Sequence, residues 1–183
     1  MKDASNSRRK LLVLDINGLL ADIVEPIPRG NETFLRVGRK AVFKRLHCED
    51  FMLFCLERFD VGIWSSRTKE NVDSILARLL GYDIRFQLKF CWVNPIEIKK
   101  LSAIGGYDES NTLLVDDTPY KAYKNPPNTA IFPNTYNYKN LEDDSLGPEG
   151  DLRVYLEGLA LAENVQEYVK NHPFGQRHII TKC

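Results

Sequence analysis

The stretch KLLVLDINGLLADI, Lys10 to Ile23, holds an apolar run that stops at Asp15 and is followed by an Asn17-Gly18 pair. The aliphatics Leu11, Leu12, Val13 and Leu14 do not alternate with polar residues, as expected of a strand covered on both faces. Similar short runs lie at Val61–Trp64, Thr112–Val115 and Thr129–Phe132. Between the first two, FKRLHCEDFMLFCLERF (Phe43–Phe59) repeats Phe43, Leu46, Phe51, Phe54 and Cys55 at helical spacing. KENVDSILARLLG (Lys69–Gly81) and PIEIKKLSAIGG (Pro95–Gly106) follow the second run, and each closes on glycine, a helix stop. This alternation predicts an α/β fold, a three-layer Rossmann-like parallel sheet with helices on both faces.

Working outward, Glu149 and Asp151 after Pro148 read as the acidic first turn of a last helix, with Leu152, Tyr155, Leu156 and Leu159 on one face. Glu25 to Lys40, rich in proline and glycine, predicts a flap or small hairpin inserted in the fold. The expected organisation is a polar segment over residues 1–9, one domain over 10–171 and a tail over 172–183, loose from about Pro173.

With 25 basic and 25 acidic residues, the charge balance gives no reason to expect direct nucleic-acid binding. No run approaches the roughly 20 apolar residues of a membrane span, so a soluble chain with no membrane partner is expected. Cys48, Cys55, Cys91 and Cys183 form no CxxC pair, which fits a reducing compartment, nuclear or cytoplasmic. Cys48 and Cys55 read as small core residues, and Trp64 as core or pocket wall within reach of a substrate.

In an open α/β sheet the ligand site lies beyond the carboxyl ends of the strands. The predicted strands end at Asp15, at Ser65-Ser66-Arg67 and at Asp116-Asp117. Carboxylates crowded into a partly dry cleft disfavour one another's ionisation unless a cation joins them. Magnesium, which takes hard oxygen ligands and shares them with phosphate, suits such a set. A carboxylate can also attack phosphorus, dividing one displacement into two. Ser65 and Ser66 offer hydroxyl donors, and Lys99 or Lys100 offers a cation. Taken singly, each feature has an ordinary explanation, because aspartate and serine cap helices and Asp-Thr-Pro starts turns.

Together, Asp15-Ile16-Asn17-Gly18-Leu19-Leu20, Ser65, Lys99 and Asp116-Asp117-Thr118-Pro119 resemble the four motifs of the haloacid dehalogenase superfamily. FKRLHCEDFMLFCLERFDVGIWSS and LLVDDTPYKAYKNPPNTAIFP resemble its branch acting on the C-terminal tail of RNA polymerase II, and the likeness runs from Lys10 to about Val169. The resemblance implies Asp15 as nucleophile, Ser65 as phosphate-oxygen donor and Lys99 as phosphate-neutralising cation, with Lys100 its substitute. It also implies Asp117, with Asp116 beside it, as metal carboxylate, and the carbonyl of Asn17 as a further magnesium ligand. The implied partner is a phosphorylated protein or peptide tail.

One departure bears on turnover. The superfamily places an aspartate, its general acid and base, where this chain has Asn17, and commonly a threonine where it has Leu19. An amide does not donate and reclaim a proton at neutral pH, so a slowed phosphatase is expected. A catalytically silent peptide- or phosphopeptide-binding module of the same fold is the alternative.

Overall fold

The structure, a computed structural model, describes residues 9–93 and 104–175. Its centre is β1 (Leu11–Leu14), flanked by β5 (Asp60–Ser65) and β7 (Thr112–Val115), with β6 (Phe90–Val93) and β8 (Ala130–Ile131) at the edges in the order β6-β5-β1-β7-β8. All pairings in this sheet are parallel, with Leu14 opposite both Ile63 and Val115. The architecture is the expected α/β Rossmann-like sheet.

Alternation along β1 explains its unbroken apolar run. Leu12 and Leu14 join one buried cluster with Val61, Ile63, Leu113 and Val115, whereas Leu11 and Val13 join a second with Trp64, Leu114 and Phe132. Fully burying each such side chain contributes about 1.5–3 kcal/mol. Trp64 packs edge-on against Trp92 inside the second cluster, so it is core and not a wall exposed to substrate. Strand β6 carries no run that the sequence reading picked out; its half-buried FCWV pairs at the sheet edge beside β5.

The inserted flap is a three-stranded antiparallel sheet, β2 (Ala21–Val24), β3 (Leu35–Val37) and β4 (Lys40–Lys44), in the order β2-β4-β3. It claims Phe43, which helical spacing alone places with the following helix. That helix, α1 (Cys48–Arg58), begins only after His47, whose φ of 63° turns the chain out of β4. Leu46 is left exposed in the turn. Phe43 instead stacks on Tyr138, with ring centroids 3.8 Å apart. Cys48 and Cys55 are buried as expected, and burial raises both thiols, that of Cys48 to about 12, so neither is a nucleophile at neutral pH.

Helix α2 (Lys69–Gln87) runs past its expected end, but Gly81 adopts φ 73° and ψ 168° inside it, so glycine does break the helix there and a further turn resumes beyond. Of the predicted helix over Pro95–Gly106, residues 95–103 lie outside the described residues. The C-terminal part comprises two helices where one was expected, α3 (Asp151–Leu161) and α4 (Val165–Asn171), the second capped by the Asn164 side chain accepting from the Glu167 N–H. The start of the expected tail is docked: Phe174 meets Tyr155 edge-on and its carbonyl accepts from the Phe132 N–H. No helix among the described residues is long and apolar enough to cross a membrane.

One buried ion pair ties the loop after β1 to the segment before α3. Arg45 Nε and Nη2 each donate to Asp143 at 2.7 Å, and Nη1 donates to the Leu19 carbonyl at 2.9 Å. Side-chain exposure is 3% for Arg45 and 11% for Asp143, so removing one partner strands the other. Arg45→Met is expected to lower stability by about 3–5 kcal/mol, measured by denaturant unfolding. Arg45→Met combined with Asp143→Leu should recover part of that loss; a single-variant loss below about 1 kcal/mol would place this pair with surface ion pairs.

Candidate active site

The site forms where the sheet order reverses around β1, with β5 and β6 on one side and β7 and β8 on the other. Asp15 follows β1, its N–H donating to the Val115 carbonyl at 3.1 Å, and Asp116 follows β7, its N–H donating to the Ile131 carbonyl at 3.2 Å. Backbone pairing therefore continues beyond the strands and holds both carboxylates at the sheet's carboxyl edge. Asp15 and Asp116 are buried and Asp117 is half-buried. Each of the three offers an oxygen lying within 4.8 Å of the others'.

The turn after β7 is built from its own side chains. The Thr118 N–H donates to Asp116 Oδ1 at 2.9 Å and the Thr118 hydroxyl to Asp117 Oδ1 at 3.0 Å, while the Thr135 hydroxyl donates to Asp117 Oδ2 at 2.8 Å. Pro119 then opens a single 3₁₀ turn, Pro119–Ala122, that carries Lys121 back over the strand ends. Lys121 Nζ donates to Asp15 Oδ2 at 3.1 Å and lies 3.7 Å from Asp116 Oδ1. Burial alone would lower the Lys121 pKa, but Asp15, Asp116 and Asp117, with the hydrogen bond to Asp15, outweigh it and hold the value above the ordinary one. Lys121 is therefore an ammonium throughout the neutral range.

The loop after Asp15 is fastened from several sides. The N–H groups of Leu19, Leu20 and Ala21 all reach the Ile16 carbonyl, and the Gly18 carbonyl accepts from the Tyr136 N–H. Gly18 has φ +82°, and a Cβ there would collide with the Asp117 carboxylate, so glycine is what lets this loop and the turn after β7 meet. The Asn17 side-chain oxygen accepts from the Ile23 N–H at 2.9 Å, tying the loop to the first flap strand. Leu19 is fully buried in the core.

On the β5 side, Ser65 is buried and its Oγ accepts from the Arg67 N–H at 3.2 Å, while Ser66 is half-buried. Two strand ends, those of β1 and β7, thus bring together a cation and three carboxylates, with a hydroxyl at the end of the adjoining β5.

A family model of NLI interacting factor-like phosphatases matches residues 10–166. The chain belongs to this family. Among solved structures similar to this NLI interacting factor-like domain is a fission yeast RNA polymerase II CTD phosphatase, an arginine-to-alanine variant of Fcp1 bound to beryllium fluoride. It is 14% identical with a TM-score of 0.50, over 89% of this chain and 54% of that one. A second Fcp1 structure, described as an essential RNA polymerase II CTD phosphatase, is 15% identical with a TM-score of 0.50, over 89% of this chain and 52% of that one. The chain spans about half the length of these structures, and at such identity the likeness concerns the fold. A comparison with curated protein sequences gives no significant match.

Of the residues picked from sequence for this NLI interacting factor-like domain, Asp15, Asp116 and Asp117 converge as described, and Asn17 lies in the loop between them and the flap. Lys99 and Lys100 lie outside the described residues. Lys121 and Thr135 were missed. A signal for Lys121 was present, because Pro119 starts a helical turn and a residue four positions after Asp117 returns over the strand end. Thr135 had no local signal, since it reaches Asp117 from 18 residues away in sequence.

Proposed function

We propose that this domain is a magnesium-dependent phosphatase of phosphoserine or phosphothreonine in a protein or peptide tail, working through an aspartyl-phosphate on Asp15 with turnover slowed by Asn17. The observation that carries this reading is the convergence of Asp15, Asp116 and Asp117, with Lys121 Nζ 3.1 Å from the Asp15 carboxylate. Hard carboxylate oxygens are the donor type magnesium takes, and a spread within 4.8 Å closes onto one ion with small side-chain movements. Asp15 and Asp117, with Asp116 beside them and the Asn17 carbonyl, would hold the ion. When bound, it neutralises phosphoryl oxygens.

Asp15 attacks phosphorus, the phosphorus–ester oxygen bond breaks, and the electron pair leaves on the substrate oxygen, which must acquire a proton. Lys121 neutralises charge on the transferring oxygens, and Ser65 and Ser66 supply hydroxyl donors. Lys99, or Lys100 in its place, is the second cation of this scheme. Water then cleaves the aspartyl-phosphate, releasing inorganic phosphate and returning Asp15. Asn17 does not supply the proton, so alkoxide departure is the slow event, and aryl phosphates, whose oxygen leaves as a weak base, should react faster than phosphoserine.

The binding-module reading draws on one observation: the Asn17 side-chain oxygen is engaged by the Ile23 N–H as a structural tie. The two readings separate on beryllium fluoride, a phosphoryl mimic that requires a carboxylate nucleophile. Magnesium with beryllium fluoride at about 100 times its dissociation constant should stabilise the domain by about 2.7 kcal/mol, and Asp15→Asn should abolish this. A binding module would show no stabilisation, or one that survives Asp15→Asn.

A further inference from the structure

Beside the carboxylate cluster, the crevice carries an arginine that the phosphate chemistry leaves unused. Arg67 follows the end of β5, immediately before Thr68, the N-cap of α2. The flap packs on this helix through β3, where Arg78 Nη1 donates to the Arg36 carbonyl at 2.8 Å. Arg67 itself is half-buried just past the strand end that carries Ser65, and is near enough to Asp15 and to Glu25, which follows the first flap strand, for both charges to act on it.

Its backbone N–H is used by Ser65 Oγ, but among the described residues its guanidinium makes no hydrogen bond or ion pair. Burial, the largest influence, pulls its pKa below the ordinary arginine value, while the charges of Asp15 and Glu25 act in the opposite direction. Both carboxylates are committed elsewhere, Asp15 to Lys121 at 3.1 Å and Glu25 to Lys40 at 3.6 Å. A guanidinium presents donors in a planar fork matched to an oxyanion, and leaving them partly desolvated without an acceptor is unfavourable. Lys121 and Ser65 already serve the phosphoryl group, and the flap, whose Glu25 acts on Arg67 by its charge, also carries the exposed, basic Arg29, Arg36 and Arg39.

We propose that Arg67 is a specificity-determining residue that grips a second oxyanion, a carboxylate or a phosphate, on the same peptide as the phosphorylated residue. This rests on the phosphopeptide reading of the adjoining site. The substrate class becomes a phosphopeptide with a flanking acidic or second phosphorylated residue.

The test is titration calorimetry of the whole chain in magnesium with three phosphoserine peptides, whose neighbouring residue is alanine, glutamate or a second phosphoserine. The unaltered protein should bind the glutamate or doubly phosphorylated peptide about 10-fold more tightly than the alanine peptide, as one charge-assisted forked contact provides. In Arg67→Gln that ratio should fall to about one, and in Arg67→Lys, which keeps charge but loses the fork, it should be intermediate. Whichever anionic peptide carries the preference identifies the oxyanion. A ratio of one in the unaltered protein, a ratio that survives Arg67→Gln, or equal weakening of all three peptides would overturn the assignment. Preference without phosphate release leaves Arg67 standing and removes the phosphatase reading; phosphate release with a ratio of one does the reverse. No binding by any peptide overturns both.

Discussion

Asn17→Asp is expected to raise phosphoserine-peptide hydrolysis by 10²–10⁴-fold, the usual worth of a positioned general acid. The substitution is sterically small, and the oxygen that now accepts from the Ile23 N–H is retained in a carboxylate, so the tie between loop and flap survives. The gain should appear mainly on alkyl phosphates, whose leaving oxygen needs a proton, and far less on p-nitrophenyl phosphate. Paired initial rates on both substrates in magnesium check this. Equal gains on both would mean that aspartate acts through metal affinity instead of proton transfer, and no rate with either protein would favour the binding module.

Lys121→Met is expected to lower turnover of any phosphate ester by about 10²–10³-fold, as loss of one preorganised donor to developing negative charge does. It also removes a cation 3.1 Å from Asp15 and 3.7 Å from Asp116, both buried, so it should raise the dependence of folding stability on magnesium. Single-turnover rates, with melting temperatures at graded magnesium, measure the two effects. Lys99→Met, which removes the second cation of the scheme, is the comparison that apportions phosphate neutralisation between the two lysines. A large loss there with none in Lys121→Met would assign phosphate neutralisation to Lys99 and leave Lys121 as a structural counter-ion.

The two lysines illustrate what was legible. Asp15 and Asp116-Asp117 could be read because each ends an apolar run, and a parallel sheet places the carboxyl ends of its strands along one edge. Lys121 depended on a turn following Pro119, and Thr135 on a loop returning from far along the chain. Phe43 was misassigned because helical spacing of apolar residues looks the same whether or not a β-strand claims the first of them. Its place was decided by antiparallel pairing with β2 and by stacking on Tyr138. Edge strand β6, half-buried, lacked the unbroken aliphatic run that marks a central strand.

The sequence by itself determined the α/β class, the central strand, the acidic strand ends and the amide at position 17. Each is written in neighbouring residues, where burial on two faces or one side-chain substitution has local consequences. Only the tertiary structure decided that Lys121 meets Asp15 and that Thr135 holds Asp117. Those contacts join segments far apart in the chain, and their distances follow from how strands, flap and loops pack, which no local pattern encodes.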